Sequence, residues 1–346
     1  MYSTNLFHFS TKLLFGGLIF IFSLFDTMEA HSQANYDEQK VPEYTLPKLL
    51  VSEKGKMITT SKEWEKHRRP EILNLFEQHM YGESPKENFK VDYKIRNLES
   101  AGLPSNAIVK EVIATFSNGS EKVEMNILIF LPKESQKPVP LFVGLNFHGN
   151  QIVTEDKSIT LTKNYVINNT KIGVTNHTAE ESSRGIRSKR WPVEDIINRG
   201  YGLATIHCGD LDPDFDDGFK NGIHQLMDKN SIKKTATIAA WAWGLSRALD
   251  YFEKDEQIDQ TKVAVLGHSR LGKASLWAGA TDQRFALVIS NNSGCGGAAL
   301  SKRQFGETVS RINTSFPHWF NSKFKEYNNN EAALPIDQHM LIALMA

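Results

Sequence analysis

Residues 263–272 place a serine where a strand turns sharply into a helix. The apolar run 263–266 ends at Gly267, Ser269 follows two residues later, and a helix-forming stretch continues beyond Gly272. This is the arrangement of a nucleophile elbow, in which a strained turn lifts the serine hydroxyl above the sheet. Glycines flank such a turn because side chains there would clash with the strand and the helix. We therefore predict that Ser269 is the nucleophile of a serine hydrolase.

The elbow departs from the usual G-x-S-x-G pattern, because its second glycine, Gly272, comes one residue late. Arg270 begins the predicted helix, and its backbone N–H can donate to the oxyanion that forms during attack. The helix N-terminus adds partial positive charge at the same point. An ordinary strand–turn–helix junction with a chance serine is the alternative.

Further segments carry recognisable motifs in a fixed chain order. They are 146–149, 209–214, 277–280, 284–297, 305–308, 316–320 and 334–339. Together with the elbow they resemble the glucuronoyl esterases, carbohydrate esterase family 15, of bacterial type. The elbow of that family reads G-C-S-R-x-G, and the resemblance covers most of the chain from about residue 65. It implies an α/β-hydrolase that cleaves esters of (4-O-methyl)glucuronic acid in glucuronoxylan, as in lignin–carbohydrate cross-links.

The resemblance also implies roles for residues near the serine. The guanidinium of Arg270 would stabilise the oxyanion, and Lys273 and Glu307 would hold sugar hydroxyls. Trp319 is a candidate to stack on a sugar, because its apolar face matches axial C–H groups. The alternatives are a structural salt bridge for Arg270, solvated charges for Lys273 and Glu307, and core packing for Trp319.

The catalytic acid and base are expected elsewhere. Hydrolases of this fold order their triad serine, acid, histidine. The resemblance places the histidine after a later strand, so we expect a chain truncated at its C-terminus, with the base beyond Ala346. Fungal members carry a glutamate at the position of Asn292, whereas many bacterial relatives carry the acid after the next strand, again beyond Ala346.

The histidines of the chain have other expected roles. His268 adjoins the nucleophile, and on an elbow its side chain points away from it. Many relatives have a cysteine there that bridges to another beside the catalytic histidine, and that bridge cannot form here. We expect His148 to shape the oxyanion loop and His207 and His224 to be structural. His339 belongs to a motif of the resembling family and is the alternative base.

The elements that must position the serine alternate between strand and helix. Strands are predicted over 107–116, 123–131, 140–146, 201–207, 263–266 and 285–290. Helices are predicted over 62–80, 192–198 and 233–253. This order favours a three-layer α/β sandwich of the α/β-hydrolase kind, with a mostly parallel sheet and helices on both faces.

Two polar segments interrupt this alternation. Residues 151–189 are rich in Thr, Asn, Ser and Lys without a clear period, which indicates a long surface insertion. Residues 210–217 are rich in Asp, and we interpret them as a solvated turn. A calcium loop is the alternative, although the segment lacks the glycine and the terminal glutamate of an EF-hand.

The N-terminus predicts a signal peptide over residues 1–34. Lys12 precedes the apolar run 13–25, and small residues follow, with Ala30 and Ala34 as cleavage sites. The run is too short to span a bilayer comfortably, although an uncleaved anchor is the alternative. We therefore expect a secreted or periplasmic protein with an N-terminal arm over 35–60 and a catalytic domain over 61–346, incomplete at its C-terminus.

Composition limits the classes of function. The 346 residues are 40% hydrophobic and 23% charged, as in a globular protein with one large domain. Basic and acidic residues number 40 each, so the zero net charge indicates neither nucleic acid nor an anionic membrane as partner. Cys208 and Cys295 make no disulfide framework, and it stays open whether they pair.

No Cys/His cluster has the spacing of a zinc site, and the resemblance implies no metal and no organic cofactor. The oligomeric state is not indicated. Two alternative functions remain: an acetylxylan or other carbohydrate esterase on the same fold, and a carbohydrate-binding pseudoenzyme.

Overall fold

A seven-stranded mixed sheet forms the centre of the molecule, with the strand order β1-β2-β3-β7-β4-β8-β9. The computed structural model describes residues 34–345, so the predicted signal peptide lies outside the described residues except for Ala34. The strands are β1 (Lys90–Leu98), β2 (Ala107–Asn118), β3 (Glu121–Pro132), β4 (Val139–Asn146), β5 (Val174–Thr175), β6 (Thr178–Ala179), β7 (Gly202–His207), β8 (Ile258–His268) and β9 (Leu287–Asn291). Strands β5 and β6 form a separate pair.

The direction of the strands divides the sheet into two halves. Strands β1, β2 and β3 pair antiparallel, and β3 also pairs antiparallel with β7. Strands β7, β4, β8 and β9 run parallel. The loops that follow these four strands therefore emerge on the same side of the sheet, where open α/β folds bind their ligands.

Helices cover both faces of the sheet, which confirms the predicted layers. They are α1 (Ser61–Glu63), α2 (Arg69–Phe76), α3 (Val193–Asn198), α4 (Lys229–Ile232), α5 (Thr237–Phe252), α6 (Arg270–Thr281), α7 (Val309–Ser315) and α8 (Gln338–Ala343). On one face Trp241 of α5 and Trp277 of α6 pack in the main core with strand residues such as Val265. On the other face Val193 and Ile197 of α3 pack in a second core.

Strand β1 was not among the strands that we predicted from the sequence. Its nine residues are mostly exposed, with Leu98 alone buried. Its three lysine or arginine side chains and one aspartate alternate with the apolar residues Val91, Tyr93 and Ile95. Charged side chains are typical of an edge strand, because they discourage pairing with another molecule. Strand β1 therefore ends the sheet on one side, and its period of two is the sequence signal that could have predicted it.

The insertion 151–189 differs in part from the predicted surface segment. It contains short 3-10 turns and the β5–β6 pair, and it encloses an apolar cluster of its own, formed by Val166, Ile172, Val174 and Ala179. Glu111 of β2 fixes its start, since this carboxylate accepts hydrogen bonds from the backbone N–H and the hydroxyl of Thr160 at 2.8 and 2.7 Å. The segment is thus an ordered part of the domain.

The N-terminal arm returns to the loop that carries Glu307. Asn35 and Gly306 exchange two backbone hydrogen bonds of 2.8 and 2.5 Å, and the ring of Tyr36 meets that of Phe305 edge-on. Further along the arm, the carbonyl of Pro47 accepts a hydrogen bond from His339 Nε2 at 2.9 Å. The arm is therefore packed onto the domain at both of these points.

Candidate active site

Ser269 lies between β8 and α6, where its backbone adopts a φ of 58° and a ψ of −127°. A residue with a side chain pays of order 1–3 kcal/mol for such a conformation, which persists only where its surroundings enforce it. Here the backbone N–H of Ser269 donates to the carbonyl of Asn291, at the end of β9, over 2.9 Å. The serine caps the N-terminus of α6, which is the geometry of a nucleophile elbow.

Close packing explains why the second glycine of the elbow comes late. A Cβ atom at position 267 would lie 2.1 Å from the carbonyl oxygen of Leu271, so only glycine fits there. Leu271 itself is buried in the core at 1% exposure. The close approach on the helix side occurs one residue later, where a Cβ on Gly272 would lie 3.1 Å from the Gly267 carbonyl oxygen and 3.2 Å from the Ser293 Cβ.

The guanidinium of Arg270 forms a salt bridge with Asp214, from the loop after β7. The same carboxylate accepts a hydrogen bond from the Trp319 indole at 2.8 Å and one from His318 Nε2 at 3.2 Å. Burial alone would raise the pKa of Asp214, but the hydrogen bond from His318 and the charge of Arg270 outweigh it and lower that pKa. Asp214 therefore stays ionised and holds the Arg270 side chain beside the elbow.

Trp319 supports the two cationic side chains of α6. Its ring stacks parallel on Phe316 with 3.7 Å between centroids. The Arg270 guanidinium carbon lies 4.6 Å and the Lys273 ammonium 5.4 Å from the Trp319 ring centroid. Since Trp319 is only 2% exposed, the structure places it in the packing beneath Arg270 and Lys273. Stacking of a sugar on this ring stays a prediction.

Lys273 lies one turn of α6 beyond Ser269 and is buried rather than solvated. Its ammonium donates to the Ser293 carbonyl at 2.6 Å. Burial lowers the pKa of Lys273 to about 8, although the nearby Glu307 carboxylate acts in the opposite direction. Glu307 is exposed, and its Oε2 lies 3.3 Å from where a Cβ on Gly294 would be. Lys273 and Glu307 therefore border the same turn.

Residues 210–217 were predicted to form a solvated turn, but several of their acidic side chains are buried. Asp210 and Asp212 are 7% and 2% exposed, and the Asp214 side chain is 5% exposed. Asp212 accepts a hydrogen bond from His224 Nδ1 at 3.0 Å, and Asp210 accepts one from a backbone N–H of β3 at the same distance. The prediction is wrong for these three carboxylates, because a composition of Asp and Pro does not distinguish a surface turn from a buried polar loop.

No hydrogen bond joins a histidine to the Ser269 hydroxyl within residues 34–345. The partners are Thr162 for His207, Asp212 and Thr235 for His224, Asn291 for His268, Asp214 for His318 and Pro47 for His339. Burial lowers the pKa of His148 to about 4, so its imidazole is neutral near pH 7. Asn292 is exposed and carries no charge that could orient an imidazolium.

Neither a metal site nor a disulfide occurs in the described part of the chain. No group of His, Cys, Asp or Glu side chains within 34–345 has a geometry that could hold a metal ion. Cys208 and Cys295 are free, buried thiols. Burial raises the pKa of Cys295 to about 12, which removes it as a nucleophile at neutral pH.

Comparison with known proteins relates this site to one family. A family model described as "Glucuronyl esterase, fungi" matches residues 220–346. "Carbohydrate esterase MZ0003", from an unknown prokaryotic organism, is 54% identical over 317 residues, which are 90% of this chain and 73% of that protein. "4-O-methyl-glucuronoyl methylesterase 1" of Phanerochaete chrysosporium is 43% identical over 121 residues, 32% of this chain and 25% of that protein.

Solved structures give the same result. A promiscuous CE15 esterase from the marine bacterial metagenome superposes with a TM-score of 0.83 at 52% identity, over 91% of this chain and 79% of that one. A glucuronoyl esterase from Solibacter usitatus superposes with a TM-score of 0.81 at 42% identity, over 89% and 79%. The predicted α/β-hydrolase sandwich is thereby confirmed.

Proposed function

Because the chain belongs to carbohydrate esterase family 15, the glucuronoyl esterases, we propose that it is a secreted serine esterase for glucuronoyl esters of plant cell-wall polysaccharide. The members of this family are carboxylic ester hydrolases. The substrate would be an ester on the C6 carboxyl of (4-O-methyl)glucuronic acid in glucuronoxylan, with a lignin alcohol as leaving group. The observation that carries the proposal is the positive-φ backbone of Ser269 at the N-terminus of α6.

The chemistry follows from this geometry. The Ser269 hydroxyl attacks the ester carbonyl, and the backbone N–H of Arg270 donates to the oxyanion. The guanidinium of Arg270, fixed by Asp214, adds a second positive group at the same edge. The tetrahedral intermediate collapses to an acyl-enzyme with departure of the alcohol, and water then releases the uronic acid. The reaction also requires a general base that accepts the serine proton, and none of the histidines within residues 34–345 is hydrogen-bonded to Ser269.

Recognition of the sugar would fall to Lys273 and Glu307. An ammonium has three donors, and Lys273 commits one to the Ser293 carbonyl, so two remain for sugar hydroxyls. Glu307 is exposed at the edge of the same turn and can accept from a hydroxyl. These contacts are remote from the bond that breaks, and they would orient the ester over Ser269.

Export is part of the proposal, because a polymeric cell-wall substrate lies outside the cytoplasm. The charged N-terminus followed by the apolar run 13–25 supports a signal peptide. Within residues 34–345, no helix is both long and apolar enough to traverse a bilayer.

A comparison of two esters tests this function. The protein expressed from the full reading frame is assayed for kcat/KM with methyl 4-O-methylglucuronate and with an acetylated xylo-oligosaccharide. We expect the glucuronate ester to be hydrolysed at least about tenfold more efficiently, because only it engages Lys273 and Glu307. A preference for the acetyl ester would establish the acetylxylan esterase alternative, and no hydrolysis of either ester would support a carbohydrate-binding pseudoenzyme.

A further inference from the structure

A groove formed in part by the loop after β7 contains no residue of the elbow. This groove has a volume of about 710 Å³, and Lys122, Asn126, Asn164, Tyr165, Phe215 and Gln225 are among its lining residues. We call it the Tyr165 groove. Its size falls within the range of ligand sites in proteins.

The chemistry of the lining favours an uncharged ligand with many hydroxyl groups. Asn164, Gln225 and the hydroxyl of Thr162 offer both donors and acceptors along the wall. The rings of Tyr165 and Phe215 add apolar surface, with their centroids 4.5 Å apart. Aromatic rings next to amides suit the faces and hydroxyls of pyranose sugars.

The charges of the lining compensate one another. Lys122 and Lys163 are matched by Glu124 and Asp210. A site for an anion such as phosphate or a free uronate would carry an excess of positive charge, which the groove does not have. The charge balance therefore argues against the charged end of a substrate and for a neutral part of it.

Asn126 lines the groove with an amide that the protein itself holds in place. Asn126 donates through Nδ2 to the Glu111 carboxylate at 3.1 Å, which fixes the orientation of the amide. Its Oδ1 is buried and accepts no hydrogen bond from any described residue. This amide is a fixed part of the wall, and its buried Oδ1 is out of reach of a ligand in the groove.

One loop joins the groove to the catalytic edge. Pro213 and Phe215 line the groove, while Asp214 between them holds the guanidinium of Arg270, next to Ser269. A polymer chain in the groove would therefore lie against the loop that carries Asp214, and a branch on it would have to extend past this loop to reach Ser269.

We propose that the Tyr165 groove binds the neutral, β-linked main chain of the polysaccharide whose glucuronoyl ester is cleaved at Ser269. This inference rests on the proposed function, and it assigns the specificity for a polymer over a small ester to residues outside the elbow.

Direct binding provides the first test. The Ser269→Ala protein from the full reading frame is titrated calorimetrically with an unesterified linear xylo-oligosaccharide. We expect the added Tyr165→Ala substitution to raise Kd about 5- to 10-fold through lost ring contact, and Gln225→Ala to raise it about threefold or more through one lost hydrogen bond. The Gln225 variant is included because the Tyr165 substitution could weaken binding merely by disturbing the conformation of its loop.

Tyr201→Ala is the matched control. Tyr201 is 40% exposed and precedes β7, at the end of that strand opposite to His207, which lines the groove. Its replacement should leave Kd unchanged. Absence of oligosaccharide binding, or an equal effect of Tyr201→Ala and Tyr165→Ala, overturns the proposal.

Kinetics separate this inference from the proposed function. With Ser269 intact, Tyr165→Ala should lower kcat/KM for an esterified aldouronic oligosaccharide about 5- to 10-fold and for methyl 4-O-methylglucuronate less than twofold. An equal loss on both substrates would contradict the groove while the esterase function stands. Failure of the unsubstituted protein to hydrolyse either ester would refute the proposed function, and the binding titration would still decide on the groove.

Discussion

The carboxylate of Asp214 pairs with the guanidinium of Arg270, the residue that directly follows the elbow serine. The partners are 56 residues apart in the chain; Asp214 lies in the loop after β7, and Arg270 is the first residue of α6. His318 and Trp319 donate to the same carboxylate from a third segment. This carboxylate, rather than a residue of the elbow itself, therefore determines where the Arg270 side chain lies.

Replacement of this carboxylate should damage both stability and catalysis. We expect Asp214→Asn to lower the free energy of unfolding by about 3 kcal/mol, because it leaves Arg270 without its countercharge. A displaced guanidinium should lower kcat by about 100-fold with a smaller change in KM. Thermal unfolding and steady-state kinetics measure the two effects.

Asp216→Asn is the control for Asp214, because Asp216 lies on the same loop but is exposed. It should change stability by less than about 0.5 kcal/mol and leave kcat unaltered. If the two variants behave alike, Asp214 is not the residue that positions Arg270.

The two elbow glycines should differ in their tolerance to alanine. Gly267→Ala drives a Cβ to 2.1 Å from a backbone oxygen, whereas Gly272→Ala makes a contact of 3.1 Å that a small shift can relieve. We expect a loss of about 3 kcal/mol or more for the first and about 1 kcal/mol for the second. Urea unfolding of both variants checks this order, and the reverse order would mean that the strand–helix crossing is wrongly described.

Lys273 should cause the activity on a glucuronate ester to decline at alkaline pH. Burial lowers the pKa of Lys273 to about 8 in the folded protein, against about 10.4 in an unfolded chain. Between these values the unfolded state binds more protons, so the contribution of this group to stability rises with pH. The ammonium that would hold the sugar is lost over the same range, so kcat/KM for a glucuronate ester should fall above pH 8.

An acetyl ester is the control for this pH profile, since it has no uronic acid for Lys273 to hold. Its rate, corrected for spontaneous hydrolysis, should show no limb near pH 8. In Lys273→Met the limb should also vanish for the glucuronate ester. A limb that persists in this variant belongs to another group.

Specificity gives a separate test of Lys273 and Glu307. Alanine at either position should lower kcat/KM for methyl 4-O-methylglucuronate by about 10- to 150-fold, the effect of one lost charge-assisted hydrogen bond. An acetyl ester should lose less than threefold. If both substrates decline equally, these residues support the fold, and if neither declines, they have no role in sugar binding.

Elements with a local sequence pattern could be predicted from the sequence. Contacts between residues far apart in the chain could not. The elbow and its strands are visible because apolar runs, glycines and the serine follow one another within ten residues. Strand β1 was missed although Val91, Tyr93 and Ile95 alternate with charged residues, because the predicted strands were those rich in buried apolar residues. The burial of Lys273 was also invisible, since its position on α6 places it near Ser269 without revealing what covers it.

The hydrogen bonds and salt bridge of Asp214 show most clearly what could not be predicted from the sequence. Its carboxylate and the Trp319 indole are 105 residues apart, and no spacing within either segment marks them as partners. Only the motif resemblance over 209–214 and 316–320 drew attention to both segments. Which side chains meet was decided by the loops that emerge together after the parallel strands.

The central claim is that Ser269 is the nucleophile, and its replacement tests that claim most directly. In the protein from the full reading frame, Ser269→Ala should reduce kcat/KM for methyl 4-O-methylglucuronate by on the order of 10³-fold or more, since no acyl-enzyme can form. Circular dichroism should show an unchanged fold. A folded Ser269→Ala protein with activity within tenfold of the unsubstituted enzyme would contradict the assignment.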